Sequence, residues 1–463
     1  MPSLSYFCSS LKLAKGSSSY SLYVLALLLF AYLLNQLDRY TLAIVAKPLA
    51  QELHYGDKAC MLLNDSDGSY KEDYFRCSDA ALEPTCTELR DINETKICKW
   101  DYTGFGFDYQ ILAGPIFILV YTFADITWCW GFLLVTLFGL GLGQSGCSPF
   151  SISLITDYFT SDLRGAALGV HNWGVYTGYS LSYAVGNFIT QANIYGQGWR
   201  WAFIFAGLPG LFLGILIAVT VREPERKYSS TDPASRGNPS KFAVVIKSFC
   251  RPSILLLCLA GSIRNAAGYV WAYNTQAYFE GIGETRTQIG YYMSWVPMIA
   301  GSAGVLLGGF ISDRVVKRSG IYGRMWVLIG SQLLAAPFAA AILWLPTPWA
   351  YLGILPCNII GEMWVSVTLA VLVELVPEEI KTTAVAVYFF IISNIGGNMP
   401  LMVPLIRQVF ETYGYPPIDS LRHALLLLFP GEYVIASALF IFSLFVLKRD
   451  MNYIRANSNN PQT

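Results

Sequence analysis

The sequence predicts an all-α, polytopic membrane protein, and three observations carry that assignment. Of 463 residues, 54% are hydrophobic and only 13% are charged, against roughly 25% charged in ordinary soluble domains. Apolar stretches long enough to cross roughly 30 Å of hydrocarbon recur along the whole chain. Most charges gather in the segments between those stretches, which excludes a soluble globule with a large core. Lys+Arg and Asp+Glu both count 31, so net charge points to no nucleic-acid partner.

The first span covers 19–50. Lys12 and Lys15 precede it and favour a cytoplasmic N-terminus. Its apolar run begins near Tyr20 and continues past Lys47, longer than the h-region of a signal peptide, and no cleavage site is evident. A hydrophilic loop follows over 52–107. It holds Cys60, Cys77, Cys86 and Cys98, which suggest two disulfides with three possible connectivities. The same loop carries glycosylation sequons at Asn64 and Asn93, which function only on the lumenal or extracellular side. The loop is expected outside.

A continuous apolar block, 109–158, has Asp125 as its one charge before Asp157. Helices are expected over 165–191 and 199–221. A stretch rich in Ser, Pro and basic residues then reads as a cytoplasmic linker. The organisation is an N-terminal bundle over 1–221, a linker over 222–250, and a C-terminal six-span bundle with its tail over 251–463. The six spans lie near 252–278, 288–312, 325–345, 350–374, 383–407 and 423–447. Arg314, Lys317, Arg318 and Arg324 make one short loop basic, and Lys448 and Arg449 close the last span; both are cytoplasmic by the positive-inside rule.

The halves resemble each other. Gly143-Gln144 precedes Asp157, and Asp162-Leu163-Arg164-Gly165-Ala166-Ala167 opens the next helix. Gly361-Glu362 precedes Glu374, and Glu378 to Ala384 opens the counterpart. Gly174, Gly178 and Gly186 mark one following helix, Gly396 and Gly397 the other. Internal repeats of this kind accompany transport, with substrate bound at the repeat interface. One comparison does not close. The block 109–158 has room for two helices where the second half fits three, so the expectation is about 11 spans in place of about 12. Five spans in the first half would put Arg164 and the linker outside, against the charge bias. A deletion, such as a splice variant or an incomplete gene model, accounts for the shortfall; a re-entrant or distorted segment is the alternative.

Three stretches resemble the major facilitator superfamily. Gly309 to Arg314, continuing to Lys317-Arg318, is similar to its G-x-x-x-D-R-x-x-R/K loop. Trp199-Arg200-Trp201-Ala202-Phe203, with Gly207, Gly210 and the exit Arg222-Glu223-Pro224, resembles its sixth helix. Asp162 to Ala166 resembles the entry to its fifth. Within the superfamily the chain looks most like the spinster group, through Asn35-Gln36-Leu37-Asp38-Arg39-Tyr40 and Gly141-Leu142-Gly143-Gln144-Ser145. It departs from that pattern at Gln144, where an acid is usual, at Leu137, where many members have arginine, in the long Cys-rich loop, and in lacking a first-half D-R loop. The resemblance implies two helical bundles about a central cavity and alternating access by their rocking. It also implies a lipid-like or amphipathic substrate, such as a lysophospholipid or sphingoid phosphate, carried in symport with protons.

Ionisable side chains inside spans are costly, so each needs a partner or a task. Asp38 and Arg39 point about 100° apart on a helix. One assignment has Asp38 exchanging a proton and Arg39 holding an anion; the other makes them part of a structural ion-pair network. Arg264, beside Asn265 and above Asn274, occupies a place similar to Asn35–Arg39 in the repeat. Its fork suits a carboxylate or phosphate, or it bonds backbone carbonyls. Glu362 matches Gln144 across the repeat and is a candidate proton carrier or an interhelical bond. His171 lines the pathway or is structural. Asp313, Arg314, Lys317 and Arg318 form a gating latch at helix ends, or simply set topology.

No G-x-S-x-G, H-E-x-x-H or Walker sequence is present, so neither an enzyme nor an ATP-driven pump is expected, and no cofactor or metal. The expected partners are a small-molecule or lipid-like substrate, protons and membrane lipids. Two alternatives stand beside the lipid-like carrier: a carrier of a small organic anion clamped by Arg39 and Arg264, and a non-transporting membrane protein or inactive truncated isoform. The plasma membrane and a lysosomal or endosomal membrane fit the loop equally.

Overall fold

A computed structural model describes residues 18–54, 56–63, 70–72, 98–104, 147, 150–152, 154–155, 157–159, 161–222, 241–377 and 380–458. Asn64, Asn93, Cys77, Cys86 and Gln144 lie outside these residues, as does most of the block 109–158 with the expected deletion. Among the described residues, seven helical stretches are long and apolar enough to cross a membrane. Two compact units emerge. Unit 1 comprises Met1–Lys58, Tyr102–Ala234 and Gly283–Met298; unit 2 comprises Ala59–Asp101, Ser235–Ile282 and Ile299–Thr463.

Unit 1 is built on α1 (Ser19–Leu53), whose first turn is closed by Ser18 accepting from the Ser21 amide at 3.1 Å. Against it packs α2 (Ser161–Ala184), which continues as a π-helical turn over Val185–Ile189. The two helices approach closely because the contact face of α2 lacks side chains. A Cβ added at Gly178 would lie 2.4 Å from the Leu33 carbonyl oxygen and 2.7 Å from Gln36 Cβ. Small residues four apart are the usual means of close helix approach in lipid. A small core of Val24, Leu25, Leu28, Ile155, Phe159 and Ala167 closes the start of α1.

The third helix of this unit, α3 (Gly198–Thr220), turns Leu208, Leu211, Phe212, Ile215 and Val219 outward. On a chain of this class such a face meets lipid. At one end of the unit Arg200 on α3 pairs with Glu52 of α1. At the other, Tyr20 Oη donates to the Thr220 carbonyl at 2.9 Å and accepts from the Arg222 amide at 2.8 Å. The start of α1 and the exit of α3 therefore share one end of the unit.

The Cys-rich loop is more than connecting chain. Strands β1 (Lys58–Leu63), β2 (Tyr70–Glu72) and β3 (Cys98–Tyr102) form a sheet in the order β2-β1-β3. Met61 pairs with Glu72 in the antiparallel β1–β2 ladder. Cys60 falls on β1 and Cys98 on β3.

Ten further α-helices follow among the described residues. The last residues of the expected linker fold as α4 (Lys241–Phe249), because Val245 and Phe249, one turn apart, reach the core. The rest are α5 (Pro252–Gly281), α6 (Arg286–Met293), α7 (Val296–Ile342), α8 (Trp349–Gly361), α9 (Met363–Leu375), α10 (Lys381–Gly396), α11 (Met402–Thr412), α12 (Pro417–Leu428) and α13 (Pro430–Ser458). They accommodate all six spans expected in the second half. Helix α6 belongs to unit 1, where Thr287 Oγ1 donates to Gln191 Oε1 at 2.6 Å.

Helix α7 holds two spans, broken at Gly320 with φ 61° and ψ −157°. That backbone conformation is essentially confined to glycine. The core of unit 2 includes Ile254, Leu257, Met325, Leu328, Trp364 and Phe440. Gly396 of α10 abuts α5, an added Cβ falling 2.9 Å from the Ser262 carbonyl oxygen. This repeats within unit 2 the glycine-mediated approach of α2 to α1 in unit 1.

Candidate functional site

Among the described residues, an extended polar cluster lies in unit 2. Helix α5 is apolar enough to span a membrane, yet Arg264 sits within it at 1% exposure. Its Nε donates to Gln332 Oε1 on α7. Its Nη2 donates to the Gly361 carbonyl at 3.0 Å and to Glu362 Oε1 at 3.1 Å. The helical run breaks at Glu362 between α8 and α9, and there the Gly361 carbonyl accepts a second bond, from Gln332 Nε2 at 3.1 Å. The Tyr433 ring lies over the guanidinium, 4.2 Å to its centroid, and the Trp364 ring lies at 5.5 Å. Taking a guanidinium out of water is repaid only by a counter-ion and well-aligned bonds. Arg264 has both.

The structure thus brings Arg264 and Glu362 together, which the sequence placed in separate arguments. Asn265 Nδ2 donates to the Ile392 carbonyl at 3.1 Å and ties α5 to α10. Asn274 Nδ2 donates to Val270 of its own helix at 2.9 Å. Gln332 was not among the expected site residues. A lone amide in the 325–345 span was the available signal.

In unit 1, Asp38 is partly buried on α1 and makes no ion pair or hydrogen bond among the described residues. Arg39, its neighbour, is engaged by another group; the two do not pair with each other. Asn35 Oδ1 accepts a long bond from Gln36 Nε2 at 3.5 Å. His171 is fully enclosed and stacks on Tyr32 with ring centroids 4.6 Å apart.

The D-R loop lies at the Gly320 break. Asp313 accepts from Arg324 Nη1 at 3.1 Å, and Arg324 Nε donates to Glu374 at 2.9 Å. Arg324 Nη1 also donates to Ser312 Oγ at 2.7 Å. Arg314 turns away and lies over the Phe310 ring at 4.5 Å. Lys317 and Arg318 are exposed. The bridging residue of this loop is therefore Arg324, which the sequence marked only as a topology-setting cation.

A helical chain with glycine-packed repeats, buried ionisable groups and a D-R loop at a helix break matches the family model described as Major Facilitator Superfamily over residues 109–399. The chain belongs to the Major Facilitator Superfamily. Its relatives include the sphingosine-1-phosphate transporter SPNS2 of Danio rerio, 29% identical over 45% of this chain and 38% of that protein. The probable L-galactonate transporter of Escherichia coli K12 is 23% identical over 68% of this chain and 67% of its own length. A crystal structure of a bacterial homolog of the human lysosomal transporter spinster, inward-facing and unoccupied, superposes with a TM-score of 0.63. It is 20% identical and covers 94% of this chain and 99% of its own, which shows the fold. This superfamily member is a multi-pass integral membrane protein of the transporter class, with spinster proteins among its relatives.

Proposed function

We propose that this chain is a proton-coupled secondary transporter of an amphipathic organic anion, working by alternating access. The observation that carries the reading is Asp38. It is a carboxyl group on a 35-residue apolar helix, partly buried, with no hydrogen bond or ion pair among the described residues. An acid inside a span is costly unless it is paired or has a task, and proton exchange is a task that needs no fixed partner. The anionic class draws support from two relatives, whose names specify sphingosine-1-phosphate and L-galactonate. Both are organic anions.

Arg39 and Arg264 are each chemically suited to such an anion; Asn35, Gln144 and His171 are the further polar candidates of the first half, and Asn265, Asn274 and Glu362 those of the second. An anion reaching Arg264 takes the place of the Glu362 carboxylate. Asp313, Arg314, Lys317 and Arg318, joined by Arg324, serve as the latch at the helix ends.

The test uses the purified chain in liposomes with an imposed pH gradient. Gradient-driven uptake of sphingosine-1-phosphate or of L-galactonate, lost in Asp38→Asn, is expected. Preference for the first marks a lipid-like substrate and for the second a small polar anion. Uptake of neither, or uptake indifferent to Asp38, sinks the reading.

A further inference from the structure

Glu432 stands in the first turn of α13 and is 2% exposed. Neither of its carboxylate oxygens has a hydrogen-bond partner. It is not among the residues that the sequence singled out, and nothing in the proposed transport reaction uses it. A carboxylate shut away from water without a donor is among the least tolerated arrangements in a folded chain. Glu432 directly precedes Tyr433, whose ring lies over the Arg264 guanidinium at 4.2 Å.

The charge inventory around Arg264 decides the argument. Helix α5 supplies the single guanidinium, and the α8–α9 break supplies Glu362, already bonded to it at 3.1 Å. Helix α13 supplies Glu432 and the neutral phenol of Tyr433, α7 the neutral amide of Gln332, and α8 the thiol of Cys357. Among the described residues, other titratable groups of α5, α12 and α13 have contacts of their own, His423 of α12 through its Nδ1 to the Asp419 carbonyl at 2.6 Å. Asp419 and Arg422 of α12 pair with each other. Glu280 of α5 accepts from Gln276 at 2.8 Å, and Asp450 of α13 accepts from the Ser253 amide at 3.2 Å. One cation and two carboxylates leave a negative charge in excess. In an enclosed site that excess is removed by binding one proton, shared between the acids as a coupled pair. Glu362 already receives an N–H from Arg264 and Glu432 receives none, so the geometry puts the proton on Glu432.

We propose that Glu432 is a proton-binding residue of unit 2, and that its proton decides which acid holds Arg264. With Glu432 neutral, Arg264 and Glu362 form the bonded pair seen here. Release of that proton to water leaves two carboxylates competing for one guanidinium. Arg264 then turns toward α13, and Glu362, the more exposed acid, is set free. This adds to unit 2 a proton site separate from Asp38, and it stands whether or not Asp38 carries protons.

Infrared difference spectroscopy of the full chain in liposomes, between acid and alkaline buffer, tests it without a transported substrate. The wild type is expected to show a protonated-carboxyl band that Glu432→Gln removes, Glu432→Asp shifts in frequency, and Asp38→Asn leaves in place. Glu362→Gln is the decisive variant. With the competing carboxylate gone, Arg264 is free for ionised Glu432, so the Glu432 band vanishes at lower pH than in the wild type. A merely structural Glu432 would not respond to Glu362 in this way. A band that survives Glu432→Gln, or one whose titration ignores Glu362→Gln, overturns the proposal. Should Glu432→Gln fail to fold, the aspartate shift and the Glu362→Gln titration decide it alone.

Discussion

Arg264 of α5 and Glu362 at the α8–α9 break meet at 3.1 Å, with the guanidinium side chain 1% exposed and the carboxylate side chain 19% exposed. The pair binds two helical layers of unit 2 through one enclosed charge. Its asymmetry matters, because Glu362 retains contact with the surroundings and Arg264 does not.

Breaking a buried pair by removing one partner costs about 3–5 kcal/mol, since it strands the other charge. Glu362→Gln is expected near the low end, because Arg264 keeps its bonds to Gln332 and the Gly361 carbonyl. Arg264→Gln is expected near the high end, because Glu362 then loses its cation and the Gly361 carbonyl and Gln332 each lose a charged donor. The double variant should lose less than the sum of the singles. Thermal unfolding in detergent gives the three values, and strictly additive losses would show that the pair is not coupled.

Helix packing in unit 1 gives a second expectation with a built-in control. At Gly178 an added methyl meets the Leu33 carbonyl oxygen at 2.4 Å, which is backbone and does not yield. Gly178→Ala is expected to destabilise by about 1–3 kcal/mol, the range for overpacking. At Gly207 on α3 the same methyl meets nothing within 4 Å. Gly207→Ala is expected to be neutral or to stabilise by up to about 1 kcal/mol through helix propensity. Equal effects at the two positions would mean that α1 and α2 do not pack as described.

The spans were legible in the sequence because they are long, apolar and bounded by charge. The six helical passages of the second half came from that pattern, whereas the family came from three motif stretches. The pairing of Arg264 with Glu362 was not legible, since the residues lie 98 positions apart and meet only through a helix break that periodicity does not mark. Glu432 was hidden for a different reason: it sits in the first turn of a long apolar helix, where a charge looks like a boundary residue. Arg324 was visible, but as one of four cations in a basic loop. Only packing separated it from Arg314, which stacks on Phe310.

The turn that presents the D-R loop depends on one backbone conformation. Gly320 has φ 61° and ψ −157°, and an added Cβ there meets nothing within 4 Å. Gly320→Ala is therefore a strain experiment without a clash. A loss of about 1–3 kcal/mol is expected from the backbone alone. Urea unfolding of the detergent-solubilised chain measures it, and an unchanged midpoint would remove the strain argument.

Arg324 gives the last expectation, and magnitudes decide its character. It donates to Asp313 at 3.1 Å and to Glu374 at 2.9 Å, but those acids are 60% and 38% exposed. Exposed pairs contribute about 0–1 kcal/mol each and weaken with salt. Arg324→Gln should therefore leave global stability within about 1 kcal/mol of the wild type. Its effect should fall instead on how the span after Gly320 is held to α9, because Arg324 joins Ser312 and Asp313 before the break to Glu374 beyond it. Thiol labelling of a cysteine introduced at Ser319 reads that opening. Faster labelling in Arg324→Gln, reproduced in the wild type by high salt and with little change in unfolding temperature, is the expected pattern. A large fall in unfolding temperature with unchanged labelling would make Arg324 a packing residue and not a latch.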